Sequence, residues 1–225
     1  MSQTFSPAEA ARLAAGDGWP LDDEQARYLA GYAGLTETWN KKMNLVGPSS
    51  AAEILRQLAA DSWHLARFLD SLSLSSDPLC LDFGAGAGLP GLPLRAFWTR
   101  GSYHLVEARA KRASFLRYAT ARLKPANTHV HQSRVENLPQ DLRGADLIVS
   151  RAFMPWRDFL DISLDFLSPG GICLVMANEP EPVGAGDCVE AGAGPTQWRL
   201  VAGTRYTVLD AVRYFWAFTP VSISK

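Results

Sequence analysis

Cysteine is scarce in this chain. The three present (Cys80, Cys173, Cys188) form no CxxC pair and no even-numbered set, which argues against a disulfide framework or a zinc module. An excess of one charge is missing too: 22 Lys and Arg against 23 Asp and Glu leave a net charge of -1, so the molecule as a whole does not attract nucleic acid or anionic membrane. Any polyanion site must be a local patch. No run approaches the roughly 20 apolar residues of a membrane span. The opening MSQTFSPAEAARLAAGDGW has no basic stretch with an apolar segment behind it, so the expected location is the cytoplasm. Internal repeats are absent as well. What the chain does have is 225 residues with 47% hydrophobic content, enough for a substantial core.

The first third reads as helices. Asp22 with Gln25 three residues on has the form of a capping box, and Leu29, Tyr32, Leu35, Trp39 and Met43 recur at spacings of three and four, one apolar stripe. After Gly47-Pro48-Ser49-Ser50 the period returns through Ile54, Leu58, Leu65 and Leu69. A boundary near 72–78 then divides an N-terminal helical lobe (1–75) from a second domain (76–225). Beyond it, short β-rich runs at 79–83, 103–107, 128–132, 146–150 and 172–177 alternate with helical stretches near 90–98, 109–123 and 157–167. That order predicts an α/β fold with a mostly parallel sheet. Residues 179–196, rich in Pro, Gly and Ala, read as a long connection, and the final two runs as a closing pair of strands.

The most informative segment is Leu81-Asp82-Phe83-Gly84-Ala85-Gly86-Ala87-Gly88-Leu89-Pro90-Gly91. Alternating glycines between a buried strand and a helix let backbone approach a ligand at the carboxyl edge of a sheet. Gly86 to Gly91 also fits GxGxxG, so a dinucleotide site competes with S-adenosylmethionine. Asp82 favours the latter, because an anion beside the glycines suits an ammonium and a sulfonium better than a pyrophosphate. Glu107 ends the next strand, where a carboxylate can accept from both ribose hydroxyls, and supports a nucleoside without choosing one. A glycine turn that merely packs strand on helix is the remaining reading.

Six blocks, in order, resemble the RsmG (glucose-inhibited division protein B) methyltransferases: Trp39 to Leu45, Asp61-Ser62, Asp82 to Pro93, Lys111-Arg112 with Phe115-Leu116, Ser133 to Glu136, and Ser150 to Phe153. The resemblance implies a class I, Rossmann-like methyltransferase with an N-terminal helical extension, S-adenosylmethionine as methyl donor, and N7 of a guanine in 16S ribosomal RNA as acceptor, naked or in the small subunit. It implies that Gly84, Gly86, Gly88 and Leu89 surround the methionine and ribose parts, that Asp82 supports the loop or the amino group, and that Glu107 takes the ribose hydroxyls. Val135 and Glu136 would line the adenine. Arg151 would meet the methionine carboxylate or an RNA phosphate where methyl and acceptor join, a catalytic position, or else form a salt bridge. Ala85 and Ala108 stand where the family has Thr and Ser and keep their places beside the cofactor. The chain departs from the family in having Gln57-Leu58 for an Arg-His pair and Met176-Ala177-Asn178-Glu179 for a Leu-Lys-Gly signature. Those departures keep two alternatives open: a small-molecule or other RNA acceptor, or a non-catalytic cofactor-binding module associated with the ribosome.

Charge distribution bears on the acceptor. Six basic residues and no acid lie from Arg109 to Lys124, with Lys111, Arg112 and Arg117 as candidate RNA contacts, and Lys41, Lys42, Arg56 and Arg67 could extend that side. Residues 158–198 hold seven acids and no Lys or Arg, a side RNA should avoid. His129 and His131 alternate along a strand, one expected toward each face, and His64 and His104 have no partners at metal-ligand spacing, so no metal is expected. The chain is expected to act as a monomer.

Overall fold

The computed structural model describes residues 5–191 and 196–221. Helix α1 (Pro7–Gly16) starts at Ser6, whose hydroxyl accepts from Glu9 N at 3.2 Å, with Pro7 in the first turn, where its missing N–H costs nothing. Helix α2 (Asp23–Met43) opens with the expected box: Gln25 N donates to Asp22 at 2.8 Å and Asp22 N to Gln25 at 3.1 Å. Helix α3 (Ala51–Ile54) runs through a π-helical turn (Leu55–Ala59) into α4 (Ala60–Asp70). No helix among the described residues is long and apolar enough to cross a membrane.

Five parallel strands follow: β1 (Leu79–Phe83), β2 (Ser102–Val106), β3 (Thr128–His131), β4 (Ala145–Arg151) and β5 (Leu167–Ala177). Helices α5 (Gly91–Leu94), α6 (Ala110–Leu123) and α7 (Trp156–Ser163) lie between them. Strands β6 (Cys188–Glu190), β7 (Gln197–Val208) and β8 (Ala211–Val221) complete one eight-stranded sheet in the order β3-β2-β1-β4-β5-β8-β7-β6, with β8 antiparallel to β5. The chain reverses direction across the sheet at β1, between β2 and β4, which opens a crevice at the carboxyl ends of these strands.

Period-2 alternation splits the core. Leu147 and Val149 face the N-terminal helices, in one apolar cluster with Leu29, Tyr32, Ile54 and Leu65, whereas Ile148 faces α7 with Phe159 and Leu160. The residues expected as a separate lobe thus share a core with one face of the sheet. Three local expectations are corrected. The helix expected near 90–98 is only the short α5, followed by turns. The connection expected over 179–196 contains β6, because Val189 pairs with Trp198; residues 192–195 fall outside the described ones. His129 and His131 project to one face, as residues two apart in a strand must: both rings stack on His104, and His104 Nδ1 lies 2.9 Å from His131 Nε2. Burial, then the neighbouring rings, pushes His104 down to about 4.

One buried ionic cluster joins the helices to the sheet. Asp61 on α4 is 1% exposed. Its Oδ2 lies 3.0 Å from Arg151 Nη2 at the end of β4, and its Oδ1 accepts from Arg213 Nη1 on β8 and from the Tyr206 hydroxyl on β7 at 3.1 Å. Arg213 Nη1 also donates to Gln57 O at 2.9 Å, inside the π-helical turn, where the regular ladder of carbonyl acceptors is interrupted. Asp61→Ala would strand two largely buried guanidiniums. It is expected to cost about 3–5 kcal/mol, measured as a lower urea midpoint at unchanged slope. A loss under about 1 kcal/mol would mean that the cluster behaves as a surface pair and does not tie helices to sheet.

Candidate active site

The crevice holds a cavity of about 380 Å³, lined by Gly84 from the glycine loop, Glu107 to Arg109 after β2, Arg112 on α6, Ser133 to Glu136 after β3, and Ala152 to Met154 after β4. Four separate segments converge there because all leave the same edge of the sheet.

Glu107 anchors it. Its Oε2 accepts from Gly86 N at 3.0 Å and its Oε1 from Arg109 N at 2.7 Å, so the carboxylate fastens the loop to the start of α6. Each oxygen keeps a second lone pair. The loop glycines Gly84, Gly86 and Gly88 all have positive φ. At Gly84 the reason is visible: a Cβ there would sit 2.4 Å from the Phe153 ring. Gly91 needs its bareness for another purpose, since a Cβ would come within 2.6 Å of Leu105 and Tyr103 on β2.

The N-terminal helices grip this loop from behind. The Tyr28 hydroxyl donates to Leu92 O at 2.9 Å, Tyr32 to Ala87 O at 3.0 Å, and Ser62 to Pro90 O at 2.9 Å. Burial pushes both tyrosines upward, so they remain neutral donors.

Of the expected cofactor residues, Gly84, Glu107, Ala108, Val135 and Glu136 line the cavity, with Val135 buried and Glu136 exposed at its rim. Ala85, Gly86, Gly88 and Leu89 form the loop around it without lining it. Asp82 is corrected. It is 1% exposed, faces Tyr103 and Gly91, and is absent from the cavity wall; the Tyr103 hydroxyl donates to its Oδ2 at 3.3 Å, and its Oδ1 has no partner among the described residues. Burial pushes its carboxyl up to about 7 against hydrogen bonds from Tyr103 and Gly91, so near neutrality it is not the full anion expected. Arg151, also absent from the cavity wall, forms the salt bridge to Asp61; its Nη1 is buried without a partner among the described residues, and one carboxylate shared by two guanidiniums leaves net positive charge there.

Among the RNA candidates, Arg112 turns into the cavity, while Lys111 and Arg117 are exposed on α6, the latter donating to Gln132 at 2.8 Å. Arg56 is occupied by a bidentate pair with Asp17 at 2.6 and 2.7 Å. Ser133, Arg134, Phe153 and Met154 line the site without an expected role. The quoted blocks Ser133 to Glu136 and Ser150 to Phe153 contained most of that signal.

A sheet whose order reverses at β1, a glycine loop leaving that strand and an acid after the neighbouring one make a nucleoside-binding Rossmann-like fold, and the antiparallel β8-β7 pair beyond β5 gives it the class I methyltransferase form. The chain belongs to the family described as rRNA small subunit methyltransferase G, whose model matches residues 25–181. It is 45% identical over 195 residues to the "Ribosomal RNA small subunit methyltransferase G" of Nitratidesulfovibrio vulgaris, covering 87% of this chain and 85% of the relative. Proteins of the same description from Lawsonia intracellularis and Oleidesulfovibrio alaskensis are 48% identical over 164 residues (72% of this chain, 76% of that one) and 42% identical over 205 (90% and 89%).

The buried carboxyl supplies a pH test. Asp82 is raised above its unfolded value of 3.8, so the folded chain binds the proton more tightly, and stability is lost as pH rises from about 4 to about 7. Asp82→Asn, neutral throughout, should therefore gain on the unaltered protein across that window by on the order of 3–4 kcal/mol, read from urea midpoints. A difference independent of pH would show that the carboxyl titrates normally.

Proposed function

We propose that this protein transfers a methyl group from S-adenosylmethionine to N7 of a guanine in 16S ribosomal RNA. The observation that carries the reading is family membership across residues 25–181, joined to a nucleoside-sized cavity at the crevice of the sheet. S-Adenosylmethionine supplies an electrophilic methyl on a sulfonium.

The residues present suit that donor. Glu107 keeps free lone pairs for two ribose hydroxyls, Val135 gives an apolar wall for adenine, and the Glu136 carboxylate at the rim can accept from its exocyclic amine. Arg151, held by Asp61, stands next to Ala152 of the cavity wall, where its charge favours a carboxylate or a phosphate. Guanine N7 attacks with its own lone pair and releases no proton, so the site needs alignment and exclusion of water but no general base. The exposed bases of α6 begin at Arg109 on the cavity wall, a path for RNA phosphates to reach it. The relatives give no support to a diverged acceptor, a non-catalytic module or a nicotinamide site.

The test is transfer of labelled methyl to small subunits and to naked 16S RNA from cells lacking the protein, followed by nucleoside analysis. The expected product is 7-methylguanosine. Glu107→Gln should weaken S-adenosylmethionine binding by about 10- to 100-fold by calorimetry, the scale of a hydrogen bond to a charged group. Binding without transfer to either RNA form would return the reading to its alternatives.

A further inference from the structure

A second cavity, of about 350 Å³, adjoins the first and shares Ala152 and Met154 with it. Ala152 holds a positive φ of 52°, an uncommon conformation for a residue with a side chain, at the junction of the two. Trp156, Phe159 and Trp216 give the second cavity aromatic walls, and Asn178 and Glu179 provide polar groups where the chain leaves β5. Glu179 is the one charged side chain among its described lining residues. The Trp216 Nε1–H is buried without an acceptor among the described residues.

We infer that this cavity receives the acceptor guanine against its apolar wall, and that Glu179, exposed at its mouth, selects the base by accepting hydrogen bonds from N1–H and N2–H. The assignment rests on the guanine-N7 reading and gives a role to the acid that ends the segment Met176 to Glu179. Guanine offers two adjacent donors on its Watson–Crick edge, which a carboxylate matches with two oxygens. Adenine offers an acceptor at N1, which a carboxylate repels, so the same group rejects the wrong purine. N7 lies on the other side of the purine from N1 and N2. A base gripped at Asn178 and Glu179 therefore turns N7 away from them, the orientation in which it can face the donor cavity across Ala152 and Met154.

The test compares 16S RNA carrying guanine or inosine at the methylated position, located by borohydride reduction and aniline cleavage of the methylated RNA at 7-methylguanosine. Inosine keeps N7 and N1–H but lacks the N2 amine. Affinity and single-turnover rate are measured for the unaltered protein, Glu179→Ala and Glu179→Gln, with S-adenosylhomocysteine binding as the check on folding. The unaltered protein should disfavour inosine by about 10- to 100-fold in rate divided by Kd. Glu179→Ala should methylate both RNAs at the same reduced level with unchanged S-adenosylhomocysteine binding. Equal use of inosine by the unaltered protein, or undiminished discrimination by the alanine variant, would overturn the role of Glu179 while leaving guanine-N7 transfer standing. Absence of any transfer to guanine RNA would overturn the functional reading and this assignment together.

Discussion

A single carboxylate shared by two guanidiniums is the constraint on which the arrangement depends. Asp61 is buried, and a buried charge is tolerated only where partners replace its water. Those partners come from the end of β4 and from the β7–β8 pair, segments far apart in sequence, so the cluster forms only when the N-terminal helices are seated on the complete sheet. The next residue, Ser62, holds Pro90 O of the glycine loop. Adjacent residues on one turn of α4 therefore fix both the loop after β1 and the arginine that ends β4. This gives the Asp61-Ser62 pair a physical meaning that spacing alone does not provide.

The helices are consequently part of the cofactor site without touching its cavity through these residues. Tyr28, Tyr32 and Ser62 each satisfy a carbonyl on the outer side of the loop, and Glu107 satisfies the amide of Gly86 on the inner side. Each such bond contributes only about 0.5–1.5 kcal/mol net. Their shared effect is to hold a loop with three positive-φ glycines in one shape, so that little ordering remains to be done when a ligand arrives.

Much of this was legible in the sequence, and the gaps have physical causes. The strand–glycine–helix order and the acid at 107 located the crevice, because both are local patterns tied to backbone geometry. The capping box at Asp22 was legible for the same reason. Periodicity did not reveal which way Asp82 faces; it lies on a strand buried on both sides, where either face is apolar and alternation gives no sign. The partners of Asp61 were hidden by more than 140 residues of separation for Tyr206 and Arg213. Strand β6 was hidden by composition, since its pairing with β7 is specified by Val189 and Trp198 within a stretch otherwise rich in Gly and Pro. That Arg112, expected as an RNA contact, turns into the cavity was not legible, because a helix whose face is basic does not show which of its charges turns toward a neighbouring loop.

The chemistry explains how the polar groups are distributed. A nucleophile that carries its own lone pair and sheds no proton leaves nothing for an acid–base pair to do, and the one strongly shifted carboxyl near the loop, Asp82, lies behind it and outside the cavity wall. Among the described residues, arginine side chains line only the first of the two cavities, together with Glu107 and Glu136. Arg109 and Arg112 face the first, where an anionic ligand group or an approaching backbone can be met. Glu179 faces the second, where a phosphate would be repelled but a base edge with two donors is matched. Confining the arginines to one side of Ala152 lets RNA be drawn toward the crevice by the basic helix while its backbone is kept out of the base pocket. A site that must align three atoms in a line gains more from such an exclusion than from additional affinity.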